Sequence, residues 1–291
     1  AILIIVAAMV EPFPGVRAQD ATAKAQQLLS QARAALGGDK VKSLSVTGNY
    51  RRTMGQMEMT GEVNFDLLLP DKMMKTETMN PMPSIEITRI EAINGDEVWE
   101  QRHGGGGGMV IIRRGPGGPA TDPQKAKEAL QQGVRTDFAR LLIGWLLTTP
   151  SSFPVEFSFA GEAESPDGKA DVLEVKGPSG FAARLFLDQK THYPLMLTYN
   201  GKKPRVITQT VTAGAHRNPE EMEKRKKEME AEAVNQPDVE YRVYLSDYRE
   251  VNGVSFPHKL TRSIEDDVNE EMEIKNVKIN PQLKPETFVK K

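Results

Sequence analysis

Four histidines, His103, His192, His216 and His258, are the side chains best suited to proton transfer or metal ligation, and their spacing supports neither. No two lie at a metal-ligand interval, and no HExxH pattern occurs. His103 sits in a glycine-rich stretch and His216 in a charged one, so both read as solvent-exposed loop residues. His258, beside Pro257, reads as a satisfied histidine on a strand. The chain has no cysteine, which removes disulfides, thiolate metal sites and cysteine nucleophiles. No GxSxG elbow occurs. The glycines at 104–108 lack the Lys-Ser/Thr pair of a phosphate-binding loop and open no helix. Glu265-Asp266-Asp267 falls in a turn without EF-hand spacing and reads as solvated. Two arginine doublets remain, Arg51-Arg52 and Arg113-Arg114. The first either meets a headgroup or a partner's carboxylate, or faces solvent from a sheet. No catalytic site is expected from these residues, and no metal or cofactor.

The sequence offers soft apolar surface instead. Met54, Met57, Met59, Met73, Met74, Met79 and Met82 cluster within what read as the first three strands. Flexible, polarizable thioethers suit a surface that accepts varied apolar ligands, and they equally suit core filling.

The elements that position this surface alternate in period. Asp20 to Leu36 predicts a helix, with Asp20 as N-cap and Gly37-Gly38 as the stop; Ala25, Leu28, Leu29, Ala32 and Leu36 form its stripe. From Val41 the period is two. Met57, Met59, Gly61, Val63, Phe65, Leu67 and Leu69 point one way along a long strand, and Pro70-Asp71 turns the chain back. Asn94-Gly95 predicts a tight hairpin. After the glycine-rich stretch, Asp122 and Pro123 open a second helix running to about Leu147, whose last part is apolar nearly all round and therefore buried. Strands then resume, with turn signals at Pro166-Asp167-Gly168, Pro178-Ser179-Gly180, Asn200-Gly201 and Asn252-Gly253. The stretch from Glu220 to Ala233 carries both charge signs and few apolar residues, so it reads as an exposed helical insertion.

About a dozen strands with hairpin-length connections make one antiparallel sheet, and so many twisted strands must curl. The fold expected is mainly β, a single strongly curved sheet with the apolar helix inside the curl. With 38 Lys+Arg against 40 Asp+Glu, nothing favours nucleic acid, whose binders need a basic face. The uncharged run Ala1–Val10 has the length of a signal-peptide apolar region, and Val16-Arg17-Ala18 supplies a cleavage signature; a short buried strand or helix is the other reading. Residues 1–18 are expected to be a truncated signal peptide. Residues 19–291 are expected to form one domain, with a glycine-rich loop at 103–120 and a charged insertion at 219–234. The location expected is the periplasm.

The order of segments resembles the periplasmic lipoprotein-carrier superfamily, the LolA/LolB-like fold. Four stretches carry it: the first helix leading into VKSLSVTG at 41–48; GEVNFDLLLPDK at 61–72; IEAINGDEVW at 90–99; and the end of the chain, 241–248, GVSFP at 253–257 and 277–288. The resemblance implies an unclosed half-barrel of about eleven strands with a helical lid, and non-enzymatic transport of lipids or lipoproteins between membranes. Leu69 stands where the family's carriers have an arginine. A carrier would bury an acyl chain against Val63, Phe65, Leu67, Met73 and Trp99, then Phe157, Phe159, Leu185, Leu187, Leu197 and Val243, under Leu142 and Trp145 of the covering helix. Its partners would be a lipid or lipoprotein acyl chain and inner- or outer-membrane proteins, and the protein would be a monomer. The alternative is a periplasmic sensor or scaffold whose shell is filled by its own side chains and which acts through a protein partner.

Overall fold

The computed structural model describes residues 18–54, 57–82, 85–104, 110–111, 123–166, 168–203, 207–208 and 237–290. The apolar run 1–17, most of the glycine-rich loop and the charged insertion lie outside the described residues. The described elements are α1 (Ala18–Leu36), β1 (Ser43–Met54), β2 (Met57–Leu68), β3 (Lys72–Met82), β4 (Ile85–Asn94), β5 (Glu97–Gly104), β6 (Val110–Ile111) and α2 (Pro123–Leu146). They continue with β7 (Glu156–Ser165), β8 (Gly168–Lys176), β9 (Ala182–Asp188), β10 (Pro194–Lys202), β11 (Ile207–Thr208), β12 (Asp238–Val251), β13 (Val254–Ile264) and β14 (Asp267–Ile279).

Twelve of the strands form one antiparallel sheet in the order β5-β4-β3-β2-β1-β14-β13-β12-β10-β9-β8-β7; β6 and β11 pair separately. β1 and β14 pair in the middle, and β5 and β7 are the two edges. The sheet is therefore an unclosed half-barrel. Its edges are consecutive long strands in the chain, so the segment joining them has to cross from one side of the half-barrel to the other. That crossing contains α2, whose 24 residues span about 36 Å.

The two-residue period explains the concave face. On β2, Val63, Phe65 and Leu67 are buried, and their cross-strand neighbours Leu44, Val46 and Met73 share that face. α1 lays its stripe of Ala25, Leu28, Leu29, Ala32 and Leu36 on the same face of the β7–β10 end, against Leu173, Val175, Leu185 and Leu187. α2 packs over the centre: Phe138, Leu142 and Trp145 face β1, β2, β13 and β14, while Ala139 and Ile143 face α1. Arg33 of α1 donates to the Leu147 carbonyl at 2.6 and 3.1 Å, capping α2 where Leu147 turns to positive φ.

Several expectations need correcting. α1 starts at Ala18, so Asp20 sits in the first turn, where its charge still suits the helix dipole, instead of at the cap. His103 lies exposed on β5 opposite Thr88, because that strand runs on to Gly104. Asn200-Gly201 makes no turn: β10 continues through both to Lys202. Gly201 is small because the Tyr241 ring, stacked on Tyr199 at 5.0 Å, lies against it. Asn94-Gly95 does make the β4–β5 hairpin, with Gly95 at φ 64.

Candidate functional site: a cleft under the crossing helix

α2 does not fill the hollow completely. Between it and the sheet lies a cleft of about 160 Å³. One wall is helical, from Val134, Phe138, Leu141, Gly144 and Trp145. The other is the sheet, from Phe65, Leu197, Val243, Leu245, Leu260 and Met272. Trp145 forms the floor. Its indole meets Phe65 edge-on at 5.1 Å and Phe256 at 5.0 Å, packing that aromatic pairs favour. Its Nε1 is buried with no hydrogen-bond partner among the described residues, an arrangement that costs about 1–3 kcal/mol. Gly144 leaves room opposite Leu245; a Cβ there would come within 3.3 Å of that side chain.

Charge borders the cleft on both sides, through Asp137 and Arg140 on α2 and through Lys75, Glu91, Arg262 and Glu270 on β3, β4, β13 and β14. The four on the sheet belong to a row of ion pairs laid across the concave face. Arg262 meets Glu270 at 2.8 Å; Glu270 meets Arg52; Arg52 meets Glu77 at 2.7 Å; Glu77 meets Lys75 at 2.7 Å. Lys75 lies 3.9 Å from Glu91, which meets Arg89 at 2.7 Å, and Arg89 meets Glu100 at 2.9 Å. Arg102 closes the row on Glu100. The signs alternate throughout. Burial works against the charge of Arg52, but Glu270 and Glu77 outweigh it and hold the guanidinium more firmly protonated than usual. Burial likewise opposes ionisation of Glu100, and the hydrogen bond and charge of Arg89, with Arg102, outweigh it, so its carboxyl lies below the ordinary range.

The structure thus corrects the reading of the first arginine doublet as a solvent face. Arg51 is exposed and pairs with Glu271 on the outer face, but Arg52 points inward and is buried.

The sequence-derived wall residues divide into three groups. Phe65, Leu197, Val243 and Trp145 line the cleft, with Val63, Leu67, Met73 and Leu142 buried in the core around it. Phe157, Phe159, Leu185 and Leu187 share the concave face but lie under α1. Trp99 is on the opposite, convex face. It pairs with Ala92, and its Nε1 donates to the Phe288 carbonyl at 3.0 Å, under the C-terminal segment. The missed residues, Leu245, Leu260, Met272 and the charged row, share a signal. Lys75 and Glu77 alternate in phase with Met73 and Met79, and Arg52 with Tyr50, so the period placed them inward against their polarity.

His258 is buried, and its Nδ1 lies 3.0 Å from the Phe256 carbonyl, as a satisfied strand histidine would. Met59 and Met73 are core, at 1% and 0% exposure, while Met79 is half-buried beside the core. Among the described residues, no cluster of histidines and carboxylates could hold a metal ion, and no helix is long and apolar enough to cross a membrane.

No protein-family model matches the sequence, and no curated protein does. Among solved structures, the chain is similar to a LolA superfamily protein from Nitrosomonas europaea, at 10% identity and a TM-score of 0.47, over 91% of this chain and 97% of that one. It is similar to a DUF1329 family protein from Desulfovibrio piger, at 8% and 0.47, over 91% and 97%. It is also similar to an outer membrane lipoprotein-sorting protein domain from Vibrio parahaemolyticus, at 10% and 0.48, over 92% and 97%.

Proposed function

We propose that the protein is a non-enzymatic periplasmic carrier that shelters one acyl chain between α2 and the concave sheet face. The observation supporting this reading is the cleft itself, lined mainly by apolar side chains on both walls and bordered by charge. Ligand pockets for small molecules usually measure about 300–1,000 Å³. At about 160 Å³ the cleft takes only the end of a chain, since an engineered apolar cavity of ~150 Å³ holds benzene. The remainder enters as the N-terminal two-thirds of α2 lifts. That part meets the sheet core through Leu130, Val134 and Phe138, and its Arg135 donates to the Asp96 carbonyl at 2.7 Å. Uncovering three such side chains costs about 1.5–3 kcal/mol each, and ten buried methylenes return about 8 kcal/mol. The two are comparable, which is what reversible loading requires. The periplasmic placement draws on the apolar run 1–10 with Val16-Arg17-Ala18, and on a cysteine-free chain.

A second reading has its own support. α1 and α2 together cover most of the concave face, as they would in a sensor or scaffold that holds no lipid and binds a protein. Organic extraction of the purified protein followed by mass spectrometry, alongside uptake of a fluorescent acyl probe, separates the two. Stoichiometric lipid or saturable uptake is expected. Neither lipid nor uptake would move the assignment to the scaffold.

A further inference from the structure

The rim of the cleft is charged, and the charge is unevenly exposed. In the row of ion pairs the cations outnumber the carboxylates, Arg52, Lys75, Arg89, Arg102 and Arg262 against Glu77, Glu91, Glu100 and Glu270. Around Lys75 and Arg262 the cations are also the more exposed partners, while the α2 side of the cleft carries Asp137 at 65% exposure beside Arg140 at 22%. Lys75 is 17% exposed beside Glu77 at 2% and Glu91 at 8%, and Arg262 is 19% exposed beside Glu270 at 13%. Both cations keep hydrogen-bonding capacity. Lys75 has three donors, of which the bond to Glu77 uses one. Arg262 has five, and its bonds to Asn269 and Glu270 engage Nε and Nη2. An added oxyanion can therefore join these cations without stripping the carboxylates behind them.

The geometry points to a headgroup site at this rim. An anionic single-chain amphiphile places its carboxylate or phosphate on Lys75 and Arg262, and its tail runs between Phe65 and Trp145. The inference rests on the carrier reading and names the class of lipid that the cleft prefers. An uncharged head would meet the same apolar walls but leave the spare donors to water. A cationic head would face the more exposed members of the row.

The test compares 12-carbon amphiphiles that differ only in the head, each below its micellar concentration. Laurate, dodecyl phosphate, monolaurin and dodecyltrimethylammonium are titrated into the protein, with inorganic phosphate as a head without a tail. Binding is followed by the fluorescence of Trp145 in a Trp99→Phe background. Laurate and dodecyl phosphate are expected to bind about tenfold or more tightly than monolaurin, as charge-assisted hydrogen bonds imply. That preference should shrink with added salt, and dodecyltrimethylammonium should bind weakest. The order of the two anions tells a carboxylate site from a phosphate site, and binding of inorganic phosphate alone would mark an oxyanion site that needs no tail. Monolaurin binding as tightly as both anions overturns the headgroup site and leaves the carrier. Binding of none of the tailed probes overturns both. The paired variant Arg262→Gln with Glu270→Gln keeps the row neutral at that end. It should cut the anion preference to within about twofold while leaving monolaurin affinity unchanged; an undiminished preference would sink the assignment. Should this variant fail to fold, the headgroup series on the unaltered rim still decides.

Discussion

The guanidinium of Arg52 on β1 meets the carboxylate of Glu77 on β3 at 2.7 Å across an intervening strand, β2. Gly61 on β2 makes that reach feasible. Opposite it on β1 is Tyr50, whose ring occupies the space a side chain would take, and Arg52 lies 4.6 Å from the centroid of that ring. A single missing Cβ thus lets charges from strands on either side of β2 join into one row.

Gly61→Ala should disrupt this crossing. The new Cβ would run into the Thr78 carbonyl oxygen and the Tyr50 ring, and the backbone carbonyl cannot swing away. A loss of about 1–3 kcal/mol is expected, as for an overpacked core site, read from the urea midpoint.

Arg52→Met should cost at least as much, about 3 kcal/mol, because it takes one of its two cations from Glu77 at 1% exposure and leaves Lys75 beside it. Adding Glu77→Met should restore at least half of that loss, since Lys75 retains Glu91 and Glu270 retains Arg262. Denaturant titrations of the single and double variants check both statements. A double variant no more stable than the single would mean that the loss does not arise at Glu77.

Acid should weaken the fold through Glu100. Its carboxyl is held below the ordinary value in the folded state, so its contribution is fully present above about pH 4.3 and is lost as the pH falls through the lower folded value. Glu271, lowered by its hydrogen bonds to Arg51 and then Lys259, acts in the same direction. Alkali acts through Tyr248, whose phenol is pushed above its ordinary value by burial and then by Tyr193. Its contribution is intact below about pH 10 and fades above it. Stability measured against pH for Glu100→Gln should lose part of the acid limb and keep the alkaline one.

Gly144→Leu should block the cleft. The position is inside α2, where leucine is the better helix former by up to about 1 kcal/mol, but it is buried and a Cβ there already stands 3.3 Å from Leu245, so overpacking costs about 1–3 kcal/mol. Acyl-probe uptake is expected to fall at least tenfold at temperatures where the variant is folded, with a lowered Tm.

Phe288→Ala should spare the cleft. Phe288 is fully buried under the C-terminal segment on the convex side, where its carbonyl accepts from Trp99. A loss of about 3–5 kcal/mol is expected, with acyl-probe affinity unchanged at temperatures where the variant is folded. A matching loss of affinity would place Trp99 in the carrier's wall after all.

Much of the architecture was legible in the chain because each strand buries one face. Alternation located β2, β4, β9 and β13 within a residue or two, and Asn94-Gly95 fixed a hairpin. Asn200-Gly201 misled because the same pair serves a turn and a close ring contact, and only the position of Tyr241 tells them apart. The site was half legible. Phe65, Leu197, Val243 and Trp145 announce themselves by type and phase. The Lys75–Arg262 rim does not, because a charged residue in an inward phase reads as an exception until its counter-charge is found. For Arg52 that counter-charge is Glu270, 218 residues away.

The sequence by itself determined the periods, and hence a one-sided β-sheet, a stripe-bearing first helix and an apolar second one. It also determined the absence of thiol chemistry. The tertiary structure alone decided that both faces of β5 are covered here, Val98 by the concave core and Trp99 by the C-terminal segment. It also decided that charge could be buried inside the half-barrel. Side-chain phase is a local property of the backbone, whereas pairing partners depend on which strands lie side by side, and that is set only when β1 meets β14.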